Sequence, residues 1–297
     1  MADSASAWTH YWQTGQAHSC INTQTSDGAE LAAIWGELAF TLKDGARVLD
    51  LATGNGAVAE LLVTRNPELH ITGIDHADIA PAKSQVSYLG NVDITKLPFA
   101  DKSFDVVTSQ FGFEYAAQTA AAREAARVLA DGGRLCFLLH HPHSAIVESN
   151  SHKIPEIEGL LSPDGLLDQC RDCLNDELSF ADLEIAGQAY LASNRHRSRQ
   201  ISGQVFEAIG TLYDLKQRKP ALAQTHLAAL VARITDEGDR LRQMRDAAVS
   251  EAQVNDLIGT FADAGITLEA PELFHTGVNT GVDGTAALIG WLLRGKR

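Results

Sequence analysis

Three acids and a pair of glycines are the residues of this chain best suited to holding a small polar ligand. Gly54 and Gly56 stand in R-V-L-D-L-A-T-G-N-G-A-V-A-E (47–60), where an apolar run meets the start of a helical pattern. Without a Cβ, they let the backbone take left-handed angles and approach a ligand closely. Asp50 lies inside the apolar run, Asp75 closes H-I-T-G-I-D, and Asp93 closes Q-V-S-Y-L-G-N-V-D. Carboxylates accept hydrogen bonds from hydroxyls and amines, most strongly from charged donors. A second set of reactive residues is His140-His141-Pro142-His143. Imidazole titrates near neutrality, which makes His140 and His141 candidates for a general base. Successive strand residues point to opposite faces, so three histidines in such a run do not converge on one ion, and no metal is expected. Phe111, Phe113 and Glu114 follow another apolar run, and with His143, Tyr11 and Trp12 they are candidates for the walls of a second pocket.

The elements that must position these groups alternate along the chain. Val48, Leu49 and Leu51 form a first strand, and Ala57 to Leu62 a helix. His70–Asp75, Gln85–Asp93, Phe104–Ser109 and Arg134–His140 read as further strands. Ala116–Leu129 reads as an Ala-rich helix stopped by a glycine cap at Asp131-Gly132-Gly133. Such alternation implies a mostly parallel sheet with helices on both faces, whose ligands bind outside the carboxyl ends of the strands. Ahead of it, Trp8, Tyr11 and Trp12 share a helical face, and Asp27 with Glu30 resembles a capping box opening a helix carried by Leu31, Ile34, Trp35, Leu38 and Leu42. Residues 144–250 break the rhythm: Pro155, Pro163 and Gly165 mark a loop-rich part. Two helices follow, one carrying Val205, Ile209, Leu212 and Leu215 and one opened by Pro220. At the end, Val254 to Phe261 is a helix capped by Gly265. Ile266–Phe274 and Ala286–Arg294 are two strands joined through Gly277, Gly281 and Gly284 and expected to pair antiparallel.

Bulk composition narrows the function. With 297 residues, 45% hydrophobic and 21% charged, the chain is an ordinary globular one. A net charge of -14 works against a phosphate-backbone partner, so no nucleic acid is expected. The start lacks the basic and apolar regions of a leader, and stretches such as 227–232 are too short to span a bilayer. Four cysteines do not suggest a disulfide scaffold; a cytoplasmic location and no membrane partner are expected. Cys170-Arg-Asp-Cys173 is a lone pair read as a loop or helix turn, and Arg195-His-Arg197-Ser-Arg199 as a solvated helix face.

The glycine turn alone leaves two cofactor classes open. Gly54-Asn-Gly56-Ala-Val-Ala59 satisfies a dinucleotide fingerprint with an acid, Asp75, about twenty residues on, which admits an NAD-dependent oxidoreductase. Against it stand Asp50 within the strand, a second strand-end acid at Asp93, and the closing pair of C-terminal strands. In V-L-D-L-A-T-G-N-G, I-T-G-I-D, D-I-T-K-L-P-F-A-D-K-S-F-D-V-V and A-A-R-V-L-A-D-G-G-R-L, the chain resembles the class I S-adenosylmethionine-dependent methyltransferases, in particular their small-molecule group. The resemblance implies a Rossmann-like core (44–143 and 251–297) with an antiparallel last strand. It also implies an N-terminal helical cap (1–43) and a mainly helical insertion (144–250) that shapes the acceptor pocket. S-adenosylmethionine would then be held by Asp50, Ala52, Gly54 and Gly56 at its methionine end. Asp75 with His76 would meet the ribose, Asp93 and Ile94 the adenine, and Ser109 and Gln110 the route to the methyl group. Ala52 departs from the family's usual glycine. The expected reaction is methyl transfer to a small-molecule acceptor, leaving S-adenosylhomocysteine, with the insertion helices as a homodimer interface. A degenerate member of the fold that only binds partners is the non-enzymatic alternative.

Overall fold

A computed structural model describes residues 4–14, 26–79, 81, 84–192, 200–277 and 286–297. The chain divides into two units, Met1–Val147 with Asp246–Arg297 and Glu148–Arg245. In the first unit, strands β1 (Arg47–Leu51), β2 (His70–Ile74), β3 (Ser87–Leu89), β4 (Phe104–Gln110), β5 (Leu129–His140), β6 (Thr267–Leu268), β7 (Glu272–Thr276) and β8 (Ala287–Lys296) form one sheet. Its order is β3-β2-β1-β4-β5-β8-β6, with β7 also on β8. The first five strands are parallel, and β8 runs antiparallel to β5, β6 and β7. Order reverses between β1 and β4, the position at which such sheets open a crevice beyond their strand ends.

Both faces of the sheet are covered because the central strands are apolar throughout. Val48 and Asp50 point one way from β1, Leu49 and Leu51 the other, and all four are buried. Helix α1 (Ser4–Gln13) precedes α2 (Ser26–Thr41), which packs on α3 (Ala57–Arg65). Helix α4 (Gln118–Val128) packs on the last helix, Glu251–Asp263. Ala121, Ala122, Ala125 and Ala126 give α4 a face of small side chains that lets the larger Phe113, Phe137 and Phe261 fill the layer beneath. Each fully buried aromatic of this kind contributes about 1.5–3 kcal/mol. Arg127 of α4 donates to the Leu97 and Phe99 carbonyls and pairs with Glu124 and Asp101. Glu124 in turn accepts from the Leu97 amide. The guanidinium is held charged by Glu124 first and Asp101 second, and the group fastens the segment after Asp93 to the body of the unit.

The second unit is helical. Helix α5 (Ala145–Ser151) leads into it, followed by α6 (Ile154–Leu161), α7 (Leu166–Leu174), α8 (Phe180–Ala192), α9 (Gln200–Lys216) and α10 (Pro220–Ala247), with α11 (Glu251–Asp263) back in the first unit. Residues expected to be loop-rich after 144 are therefore largely helical: Pro155 occupies the first turn of α6, where its missing N–H is no loss. Cys170 and Cys173 lie buried on α7, and burial pushes the Cys170 thiol up to about 12. Phe180 stacks on Tyr213 at 3.9 Å, and Tyr190 donates to the Glu156 carbonyl.

Other boundaries differ from the sequence reading for local reasons. Helix α4 ends at Val128 with Leu129 already extended. The glycines at 132 and 133 therefore belong to β5, where Gly132 takes φ +75° beside a register shift against β4. The third strand shrinks to Ser87–Leu89, and the run Ile266–Phe274 splits into β6 and β7 at Pro271, which has no N–H for a ladder. Gly265, at φ +80°, follows the Ala264 cap of α11, as its sequence position suggests. Glu30 accepts from the Gly277 amide at 2.6 Å. The Asp27 side chain, Gly281, Gly284 and the 195–199 cluster lie outside the described residues.

Ala52 holds φ +51°, a left-handed angle that costs an L residue about 1–2 kcal/mol. Its Cβ also sits where a side chain on Gly112 would have to go. Gly112→Ala is therefore expected to destabilise the fold by about 1–3 kcal/mol, with much of the loss recovered in the Ala52→Gly/Gly112→Ala double variant. Equal melting temperatures for the single and double variants would show that the two residues do not compete for this space.

Candidate functional site

The carboxyl ends of β1, β2 and β4 bring the predicted acids and the glycine turn together. Asp50 accepts from the Thr53 hydroxyl at 2.6 Å and from the Thr108 hydroxyl of β4 at 2.8 Å. Burial raises its carboxyl to about 6, against the pull of the two threonine bonds. The turn follows immediately: Gly54 and Gly56 take φ +54° and +88°, and the Thr53 amide donates to the Ile74 carbonyl. Asp75, buried at the end of β2, accepts from the Gly54 amide at 2.8 Å and from the Ala77 amide at 2.9 Å. Burial raises its pKa and the two amides oppose the rise. Each carboxylate oxygen has two lone pairs, so these bonds leave capacity for a diol.

Asp93 lies beyond β3, exposed, with its Oδ1 taking the Thr95 amide at 2.8 Å and the Thr95 hydroxyl at 2.7 Å. Those bonds hold its carboxyl below the usual range, the amide bond first. Ile94 is buried behind it and His76 is exposed. Ser109 is wholly buried, donating to the Leu51 carbonyl and accepting from the Phe113 amide, while Gln110 accepts from the Trp35 indole at 2.6 Å. Both side chains thus hold β1, α2 and the turn after β4 in place.

Neither glycine of the turn looks into empty space. A Cβ on Gly54 would overlap the Trp12 ring, and one on Gly56 would overlap the Tyr88 hydroxyl, which donates to Glu60 at 2.8 Å. Helix α1 lies across the site: Asn55 donates to the Trp12 carbonyl at 2.9 Å, and the Asp78 amide to the Thr9 hydroxyl at 3.0 Å. Tyr11 and Trp12 meet edge to face at 5.0 Å, and Trp8 reaches Tyr115 at 5.4 Å. One helix therefore covers both the glycine turn and the residues that follow β4.

On that second side, Phe113, Glu114 and Tyr115 form a single 3-10 turn. Phe113 anchors it by packing on Phe137 and Phe261. Glu114 Oε1 accepts the backbone N–H of His140 at 2.9 Å and lies 2.7 Å from His140 Nδ1, with both side chains fully buried. Its other oxygen, Oε2, is buried with no hydrogen-bond partner among the described residues, an arrangement that costs about 1–3 kcal/mol. Phe111, at φ +54°, stacks on the His140 ring at 4.5 Å, and Tyr115 stands edge-on to it at 6.2 Å. His141 and His143 belong to other surroundings. The His141 ring packs on Trp291, accepts from the His143 amide at 3.0 Å and is lowered in pKa by burial, whereas His143 is exposed. Among the described residues, no three His, Cys, Asp or Glu side chains are placed to hold a metal ion.

Sequence reasoning did not single out Thr53, Thr108, Tyr88, Trp35 or Trp8 for this site. Thr53, three residues after a buried acid, carried a readable signal; the others arrive from separate elements and carried none.

Any ligand seated against Gly54 must displace the Trp12 ring. Its binding should therefore change indole emission in the wild type, and the change should be largely lost in Trp12→Phe. An equal change in both chains would place the ligand elsewhere. Asp50 also makes folding pH-dependent. Its native pKa lies above the unfolded value, so between about pH 4 and 6 the native state keeps a proton that the unfolded chain has lost. Stability from this group accordingly falls as pH rises through that window and is level above it. Urea titrations of wild type and Asp50→Asn should differ in slope there, and identical pH profiles would contradict it.

Comparison with known proteins agrees with this geometry. The model of a methyltransferase domain matches residues 49–137, from β1 into β5. A demethylmenaquinone methyltransferase of Thermus thermophilus is 39% identical over 137 residues, 42% of this chain and 61% of that one. The Thermotoga maritima enzyme of the same name is 42% identical over 97 residues, 31% and 42% of the respective chains. The chain spans about half the length of these relatives. A ubiquinone/menaquinone biosynthesis C-methyltransferase of Syntrophotalea carbinolica is 30% identical over 191 residues, and there the match reaches 59% of this chain and 78% of the relative. With a mostly parallel sheet closed by an antiparallel strand, and likeness over most of that relative's length, the chain belongs to the class I S-adenosylmethionine-dependent methyltransferases.

Proposed function

We propose that this chain transfers a methyl group from S-adenosylmethionine to a small aromatic acceptor that carries ring hydroxyls. The observation that carries the reading is the set of acids Asp50, Asp75 and Asp93, within or just beyond three neighbouring strands around a left-handed glycine turn. The cofactor, when bound, supplies an electrophilic methyl on a sulfonium. Among its remaining groups an ammonium, a ribose diol and an adenine amine are hydrogen-bond donors, and the methionine carboxylate is an acceptor. Asp50 suits the ammonium, since a cation favours ionisation of a buried carboxyl that burial alone holds near 6. Asp75 with His76 suits the diol, Asp93 and Ile94 the adenine, and the Ala52–Gly56 backbone the methionine end. Ser109 and Gln110 border the route to the methyl group. Asp50 within β1 and the second acid at Asp93 disfavour a dinucleotide, whose fingerprint calls for a single acid on the ribose.

For the acceptor, the relatives' names point to quinone-type rings, and Trp8, Phe111 and Tyr115 gather flat apolar surface on that side. Alignment and exclusion of water then do most of the work of transfer. His140 is the base of this reading, with His141 beside Trp291 in second place; Tyr11, Phe113 and Glu114 complete the surroundings, and His143, exposed, stands apart from them. Cys136, Cys170 and Cys173 are free thiols, which supports a reducing, cytoplasmic setting. No helix among the described residues is long and apolar enough to cross a membrane.

S-adenosylmethionine at about a hundred times its dissociation constant should stabilise the chain by roughly 2.7 kcal/mol, seen as a raised melting temperature, whereas NAD should give no shift. The reverse pattern would refute the assignment. Asp75→Ala is expected to weaken cofactor binding by about 1.5–3 kcal/mol, the scale of hydrogen bonds to a charged group, and unchanged affinity would displace the ribose from this acid. Affinity should also rise with pH through about 6 as Asp50 ionises, and calorimetry on Asp50→Asn should lose that dependence.

A further inference from the structure

The contacts of Glu114 do not look like those of an acid retained for stability. Its carboxylate is fully buried, one oxygen serves two groups of the same histidine, and the other has no partner among the described residues. The two residues also come from different elements: Glu114 from the 3-10 turn after β4, and His140 from the last position of β5. That turn is rigidly founded, with Phe113 in the aromatic core and its amide on Ser109 Oγ. Phe111 accepts left-handed backbone strain to lay its ring flat on the imidazole. The imidazole is therefore fixed in plane and in azimuth by Glu114 and Phe111.

Resting on the methyl-transfer reading above, we propose that Glu114 is the positioning residue that makes His140 the base toward a hydroxyl-bearing aromatic acceptor. Oε1 already accepts the His140 backbone N–H, so as an acceptor it fixes the imidazole proton on Nδ1 and leaves the lone pair on Nε2. A base is needed only when the acceptor arrives protonated. The acceptor O–H bond breaks, its proton forms an N–H bond at Nε2, and the electron pair stays on the acceptor oxygen and the ring conjugated with it. The imidazolium so formed faces the Glu114 carboxylate, which stabilises the charge where it develops. The class selected is a phenol, naphthol or ring diol; an acceptor whose ring oxygens are all capped offers no proton to take. His140 is buried in this structure, with Tyr115 edge-on to its ring, Trp8 of α1 against Tyr115 and Trp12 over Gly54, so this chemistry requires α1 to move aside before both reactants enter.

The test reads the histidine directly. Long-range proton–nitrogen correlation spectra of histidine-labelled wild type, in complex with S-adenosylhomocysteine, should show His140 with its proton on Nδ1. A para-naphthalenediol kept reduced without oxygen should then move the Nε2 resonance, and its dimethyl ether should not. With the same diol and labelled S-adenosylmethionine, Glu114→Gln should lose about 100-fold or more in kcat at unchanged cofactor affinity. A proton on Nε2, an Nε2 resonance unmoved by the diol, or a Glu114→Gln kcat within a factor of about three of wild type would each overturn the proposal. The spectra are taken on wild type, so they decide even if Glu114→Gln does not fold. Failure of the wild type to bind S-adenosylhomocysteine would instead overturn the methyl-transfer reading, whereas binding with the wrong tautomer would remove only the dyad.

Discussion

The candidate site is organised by one buried carboxylate. Asp75 takes the Gly54 amide on one oxygen and the Ala77 amide on the other, so it joins the turn after β1 to the end of β2. An unpaired buried acid would be intolerable, and an unpaired buried amide nearly so; each is the other's remedy. With the Thr53 amide on the Ile74 carbonyl, this linkage sets the left-handed path through Ala52, Gly54 and Gly56 and the direction in which α3 leaves.

Around that linkage the first unit tolerates several local costs. Asp50 is buried and, among the described residues, accepts from two threonines. Ala52 and Phe111 hold left-handed angles without being glycine. Glu114 is buried with half its accepting capacity unused. All four lie at the carboxyl ends of β1 and β4 or in the turn between β4 and α4, while the opposite ends of the strands show ordinary surface pairs such as Arg47–Asp105 and Lys102–Asp131. Buried acids gathered at one end of a sheet are the pattern expected where a fold gives up stability for binding. The apolar layer of Phe113, Phe137 and Phe261 under that end supplies the compensating burial.

Helix α1 gives the site a second property. It is held by a few hydrogen bonds, from Asn55 and to Asp78, and by aromatic contacts to Tyr115 and the glycine turn. Such a cover excludes water from both ends of the crevice at once, and its aromatic residues can exchange one flat partner for another with little loss of burial.

Much of this was legible in the sequence, because it is encoded locally. The glycine turn, the strand-end acids and the alternation of apolar runs with helices follow from residue types at fixed spacing, and they sufficed to expect a parallel sheet and its antiparallel closure, whereas the class of cofactor came from the resemblance to a known family. Segments whose conformation depends on distant neighbours read less well: α4 gave way to β5 before its glycines because pairing with β4 outweighs a cap signal, and the region after Pro155 is helical because helices of its own unit bury it. Pairings between elements could not be read at all. Nothing along the chain says that Glu114 meets His140 twenty-six residues on, that Thr108 completes Asp50, or that Trp12 fills the space above Gly54. Spacing along a strand or helix fixes which residues share a face, but only the packing of β4 against β5, and of α1 over the turn, decides which faces meet.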